Sequence, residues 1–263
     1  MNNYDLTGKT AWVCGASQGI GAATATLLAQ RGADVTLIAR REEVLNTLCE
    51  SLNRQTPGTH HVLALDLADL EALPDRIATG LDATPTVHIL VNNSGGPAPG
   101  KLVEAEAGAF LSAVQQHVMA SHLLVQGLLP GMRAAQYGRI LNVLSTSVKA
   151  PIDNLGVSNT TRAAVANWAK TLANEVGPLG ITVNNVLPGF TATERLDKII
   201  QKRADSQNLS PDQVAQNMKK TVPLRRFATP EETAEALAFL ASPAAAYING
   251  INLPVDGGRL ASL

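Results

Sequence analysis

Short apolar runs recur along the chain at Thr10–Cys14, Asp34–Ala39, His61–Leu65, His88–Val91, Arg139–Val143, Thr182–Leu187 and Asn252–Val255, bounded by Gly, Pro, Asn or Asp. They read as continuously apolar rather than alternating, the pattern of strands buried on both faces. Between them lie longer stretches with helical spacing, among them Ala22–Arg31, Glu42–Asn53 and Phe110–Ala135. Strand, helix and strand repeated in this order predict an α/β fold. Its seven strands would form a parallel, doubly wound sheet with right-handed crossovers and helices on both faces.

No linker divides the 263 residues, so a single domain over 1–263 is expected. Its one long interruption, Phe190–Thr229, is rich in Lys, Arg, Gln and Asp and has weaker periodicity. A long insertion at the carboxyl edge of such a sheet reads as a substrate lid, the alternative being a surface excursion without function. A composition of 45% hydrophobic and 16% charged residues is globular, and its many Ala, Val and Leu suit strands covered by Ala-rich helices. The formal net charge of -1 gives no electrostatic reason to expect nucleic acid or an anionic membrane as partner. The polar start, Met1 to Lys9, lacks the basic-then-apolar pattern of a secretory signal. No apolar stretch approaches the roughly 20 residues needed to cross a bilayer. Cys14 and Cys49 have neither metal nor redox spacing and read as core filling in a reducing compartment. A cytoplasmic protein without a metal is expected.

The first strand runs straight into Gly15-Ala16-Ser17-Gln18-Gly19-Ile20-Gly21 and then an Ala-rich helix. Glycine suits a turn in which the backbone takes positive φ and approaches a phosphate with no Cβ in the way. The helix behind it offers free N–H groups and a positive dipole end to a diphosphate. Such a turn is weak evidence alone; after the first strand of an α/β chain it points to a Rossmann-type dinucleotide site.

The Gly-x-x-x-Gly-x-Gly spacing resembles the short-chain dehydrogenase/reductase family, and the resemblance continues over almost the whole chain. Asp66, followed by Leu67, resembles the family's acidic contact to the adenine amine. Asn92-Asn93-Ser94-Gly95 resembles its Asn-Asn-Ala-Gly segment, with Ser94 in place of Ala. Pro188-Gly189, with Thr191 and Thr193, resembles the segment that contacts the nicotinamide carboxamide. Thr229-Pro230-Glu231-Glu232 and Asp256-Gly257-Gly258 resemble its carboxyl-terminal landmarks. Singly, Asp66 would also serve as a helix cap, Asn92-Asn93 as a turn and Pro188-Gly189 as a loop start.

Cofactor choice is read at the end of the second strand, where an acid would bond the 2′-hydroxyl of NAD and repel the 2′-phosphate of NADP. Here Ala39 is followed by Arg40 and Arg41, so two guanidinium groups are available and NADP(H) is expected over NAD(H). The same arginines would also solvate a helix start.

The family resemblance implies a catalytic Asn, Ser, Tyr and Lys. Ser145 matches the serine in context, whereas the tyrosine position falls on Ser158, the lysine position on Arg162 and the asparagine position on His117. Ser158 and Arg162, four apart on a helix, share one face. A serine hydroxyl is a far weaker acid than a phenol, and Arg162 stays charged but is able to bind the ribose. Two readings follow. In the first, the protein is a reductase with rewired proton donation: Ser145 and Ser158 donate to the carbonyl oxygen, His117 relays a proton with a pKa near working pH, and Lys149 is a further donor. In the second, it is a weak or inactive NADP(H)-binding sensor, or a non-catalytic oligomer partner.

Overall the pattern is most similar to the 3-oxoacyl-[acyl-carrier-protein] reductase branch, which implies a small carbonyl/alcohol or an acyl thioester as substrate. Arg195, Lys202, Arg203, Lys219, Lys220, Arg225 and Arg226 of the insertion would meet an acidic carrier protein or simply be solvated. The resemblance also implies a homodimer or homotetramer formed through Phe110–Ala135 and Arg162–Val176, whose amphipathic faces would equally suit burial on the sheet.

Overall fold

The computed structural model describes residues 3–262; Met1 and Asn2, the first two residues of the polar start, lie outside the described residues. One parallel sheet carries seven strands in the order β3-β2-β1-β4-β5-β6-β7. They are β1 (Thr10–Cys14), β2 (Asp34–Ala39), β3 (His61–Ala64), β4 (Ile89–Asn92), β5 (Gly138–Val143), β6 (Ile181–Pro188) and β7 (Asn252–Val255). The apolar runs located every strand to within a residue at either end.

Continuous apolar runs feed two cores, because successive side chains leave a strand on opposite faces. Val13, Val35, Leu37, Ile89 and Val91 pack beneath α1 (Gly19–Gln30), α2 (Glu42–Gln55) and α9 (Pro230–Ala241). Trp12, Ile38, Leu90 and Ile140 pack beneath α3 (Leu73–Ala83), α5 (Ala120–Ala134) and α6 (Gly156–Val176). β1 lies between β2 and β4, so the chain winds outward in both directions from it, and the crevice for a ligand opens at the carboxyl ends of these central strands. Cys14 and Cys49 are both buried in these cores, and burial pushes the Cys14 thiol up to about 12.

Two elements differ from expectation. The helix expected over Phe110–Ala135 begins as α4 (Ala107–Val114), widens into a π-helical turn over Gln115–Met119 and continues as α5. The extra residue in that turn carries His117 inward, so that it is buried between exposed Gln115 and Met119. The insertion of weak periodicity is largely helical. α7 (Glu194–Gln207) and α8 (Pro211–Lys220) bury only a narrow stripe, Leu196, Ile200, Ala204, Val214 and Met218, against Phe190 and Phe227. So thin a stripe leaves most positions polar, which hides the helical period. The cap of α7 is Thr193, whose Oγ1 accepts from the Leu196 N–H at 3.4 Å. Ser210 and Gln213 open α8 with a reciprocal capping box.

Candidate active site

The glycine turn is shaped by its neighbours. Gly15 has φ +64°, and a Cβ there would stand 2.6 Å from Asn93 Nδ2. Gly21 is required for a different reason than positive φ: a Cβ would overlap the Gly15 carbonyl oxygen, so the helix closes directly on the turn. Gly19, at φ +55°, meets the insertion after β6, since a Cβ would lie 3.1 Å from Thr193 Cγ2. No side chain caps α1 at Gln18, which leaves the leading N–H groups, those of Gly19 and Ile20 among them, to an outside acceptor. A cradle without Cβ atoms in front of free N–H groups fits a dinucleotide's diphosphate.

At the end of β2, Arg41 donates from Nη2 to Ser17 Oγ at 3.2 Å and to Gln18. Arg40 stands 3.9 Å from Asp66, both of them largely exposed. Asp66 also accepts the Ala68 N–H at 3.0 Å, so part of its carboxylate stabilises its own turn. Arg41 therefore lies against the glycine turn, and Arg40 beside the loop after β3. Beyond β6, the Gly189 N–H donates to Val255 O at 2.9 Å, and a Cβ on Gly189 would fall 2.7 Å from the Asp256 Cα. Thr191 is buried and pairs with Ala228, while Thr193 Oγ1 donates to Thr191 O at 3.3 Å. Pro188, Gly189, Thr191 and Thr193 thus form the bend that brings the start of the insertion against the glycine turn. Gly95 has open space where a Cβ would go.

Beyond β4 and β5 lie a buried Arg162–Ser158 pair, Ser145, and a His117–Ser94 pair. Arg162, 7% exposed, donates from Nη1 to the carbonyls of Val143 and Leu144 at 3.1 and 3.0 Å and from Nε to Ser158 Oγ at 3.3 Å. Burial and the charge of Arg195 lower its pKa to about 10, so it remains a cation at neutral pH. Ser158 is buried beside it. Ser145 keeps part of its surface open, and its Oγ accepts from the Ser147 N–H at 3.1 Å. His117 Nδ1 shares a 2.8 Å hydrogen bond with Ser94 Oγ. Lys149 is exposed on the turn after Ser145.

The expected titration of His117 near working pH is corrected. Burial first, then the charges of Arg162 and Arg195, push its pKa down to about 3, so the ring is neutral at neutral pH. Nothing local in the sequence carries that information, because Arg162 and Arg195 reach it from other elements.

An unexpected feature runs under the site. Asn92, Asn142, Asn185 and Asn252 are in register on β4 to β7, and each side-chain amide donates to the next side-chain carbonyl at 2.8–2.9 Å. Asn92 is therefore tied into a buried ladder and offers only Oδ1, which has no hydrogen-bond partner. Beside it lies a cavity of about 20 Å³, lined by Leu67, Asn92, Ser94 and His117 among others. His117 Nε2 is likewise buried without a partner. The volume is enough for one water molecule between two polar walls.

The family model described as Enoyl-(Acyl carrier protein) reductase matches residues 15–259. The 3-oxoacyl-[acyl-carrier-protein] reductase FabG of Vibrio harveyi is 36% identical over 97% of this chain and 98% of its own length. This chain belongs to the short-chain dehydrogenase/reductase family. Among solved structures, the L-sorbose reductase of Gluconobacter frateurii, complexed with NADPH and L-sorbose, has TM-score 0.94 and 32% identity, with 99% of this chain and 100% of that one covered. YwfH, an NADPH-dependent reductase involved in bacilysin biosynthesis, has TM-score 0.92 at 28% identity, covering 97% of this chain and 99% of that one.

In this short-chain dehydrogenase/reductase the tyrosines lie away from the site. Tyr4, Tyr137 and Tyr247 precede β1, β5 and β7, at the amino ends of the strands, and the Tyr137 hydroxyl donates to Ala241 O at 2.7 Å. Among the described residues no group of three or more His, Cys, Asp or Glu could hold a metal ion, and no helix is long and apolar enough to cross a membrane.

Proposed function

We propose that the protein is an NADP(H)-dependent oxidoreductase that interconverts a carbonyl and a secondary alcohol, with 3-oxoacyl thioesters among its candidate substrates. The observation that carries this is a glycine cradle after β1 with Arg41 on Ser17 beside it, in a sheet whose strand β5 leads into Ser145. The diphosphate is held by Gly15–Gly21 and the 2′-phosphate by Arg40 and Arg41; the loops at Asp66–Leu67, Asn92–Gly95 and Pro188–Thr193 enclose the remainder. The NADPH in the L-sorbose reductase complex supports the same preference.

When bound, the nicotinamide supplies or accepts the hydride. The chain's own residues handle the oxygen. The Ser147 N–H holds Ser145 Oγ as an acceptor, which leaves the Ser145 O–H to donate to the substrate oxygen. Arg162 supplies a fixed positive charge for the oxyanion that develops. Its Nε–H on Ser158 Oγ favours the ionised form of that serine, making Ser158 a better acid than an isolated alcohol. Ser158 then donates the proton, and neutral His117 positions Ser94 and the loop after β4. This rewiring replaces the tyrosine and lysine that the family resemblance implies.

Exposed Leu111, Val114 and Met119 along α4 and the π-helical turn support assembly into a homodimer or homotetramer through this face. Titration of the purified protein with NADPH and NADH, followed by NADPH oxidation with ketones and 3-oxoacyl thioesters, tests the function. Tighter NADPH binding and turnover that falls in Ser145→Ala are expected. Tight NADPH binding with no turnover across the panel moves the protein to the sensor class, and uptake of neither nucleotide overturns the proposal.

A further inference from the structure

Four arginines stand around the loops at the carboxyl ends of the strands, from three elements: Arg162 from α6, Arg195 and Arg203 from α7, and Arg259 from the segment after β7; the charge of Arg195 acts on Arg162 and that of Arg203 on Arg259. Among the described residues none of the four forms an ion pair. Arg195 is an exposed residue whose guanidinium lies on Gly96, in the loop after β4. Its Nη2 and Nη1 stand 2.5 and 2.7 Å from where a Cβ on Gly96 would be. Burial lowers the Arg195 pKa, and its charge in turn acts on Arg162 and His117. Arg259 stacks 4.3 Å above the Phe190 ring and directs Nη1 toward Thr146 Oγ1 at 3.5 Å, next to Ser145. The carboxylate beside it, Asp256, is already committed to the N–H groups of Gly258 and Leu260 at 2.9 and 2.8 Å.

Like charges gathered in a partly desolvated crevice repel one another unless an anion completes them. Neutral His117 gives no relief, and a neutral ketone would leave the excess charge uncompensated. The diphosphate and 2′-phosphate of the cofactor already have the glycine turn and Arg40/Arg41. We propose that the substrate is a carbonyl compound bearing a carboxylate, and that Arg195 receives that carboxylate, with Arg259, beside Thr146, as a second cation. The planar guanidinium fork matches a carboxylate bidentately, which also orients the carbonyl relative to Ser145. This inference rests on the carbonyl-reducing function proposed above and narrows its substrate class to oxo acids.

The test uses the full chain with NADP+, malonate as the carboxylate probe and malonamide as its neutral control, at concentrations too low for general salting-out. Thermal unfolding is the readout. Malonate is expected to raise the Tm of the NADP+ complex and malonamide to leave it unchanged. Arg195→Gln should weaken the malonate effect by about tenfold or more in concentration, with partial rescue in Arg195→Lys and an unchanged NADPH affinity. No malonate effect on the wild-type complex overturns the proposal. So does a parallel loss of NADPH and malonate binding in Arg195→Gln, which would assign Arg195 to the cofactor's diphosphate. Failure of the underlying function shows separately, as absence of nucleotide uptake in the titration.

Discussion

Ser94 Oγ and His117 Nδ1 lie 2.8 Å apart, joining the loop after β4 to the π-helical turn that leads into α5. The two are side by side because the wide turn carries His117 off the helix surface and into the crevice floor. Protonating the ring would place a further cation beside Arg162 and Arg195, in a site too dry to screen it. The ring therefore serves as a neutral strut, and the pair explains a serine where the family resemblance implies alanine.

Acid should weaken the fold through this residue. The His117 pKa is about 3 in the folded chain, whereas an unperturbed histidine lies near about 6.5. Below that upper value the unfolded chain takes up the proton first, so stability declines as pH falls from about 6.5 toward about 3. Burial lowers the pKa values of His60 and His88 as well, so they act in the same direction, and comparison with His117→Asn isolates the term. Denaturant unfolding from about pH 7 to about pH 4.5 should show a steeper loss in the wild type, by up to about 1.4 kcal/mol per pH unit. Equal slopes would place the ring in a far more polar setting.

Arg162 is a structural as well as a chemical residue. Arg162→Leu leaves the Val143 and Leu144 carbonyls without their donor, so unfolding free energy should fall by about 1–3 kcal/mol and turnover should be lost. Because Arg162 and Ser158 act as a unit, the double variant Ser158→Tyr with Arg162→Lys should lose activity, by about 10² or more in kcat. A sharp rise in kcat instead would mean that the site is a degenerate tyrosine–lysine site.

Gly21→Ala forces a methyl group onto the Gly15 carbonyl oxygen, an overpacking expected to cost about 1–3 kcal/mol. The turn must open to admit it, so NADPH affinity should fall together with Tm. Gly95→Ala is the control: with open space around the added methyl, its Tm should match the wild type.

Arg41→Ala removes a charge-assisted partner for the 2′-phosphate and should raise the NADPH Kd by about tenfold or more while leaving NADH unchanged. Fluorescence titration of both nucleotides reads this directly. An equal loss for both would mean that Arg41 acts only by holding Ser17 and Gln18 in place.

The sequence by itself determined the sheet, the two helical layers and the glycine turn. Each depends on local rules: unbroken apolar runs make doubly covered strands, and only glycine fits at Gly15 and Gly21. The asparagine ladder left a faint trace, one Asn near the carboxyl end of several apolar strands. Only the register of β4 to β7 turns four separate amides into a chain. Tertiary structure alone decided the charge of His117, the π-helical turn that buries it, and the place of Arg195 over Gly96. Those properties arise from desolvation and from charges brought together by segments far apart in the chain, and neither effect has a signature in the spacing of neighbouring residues.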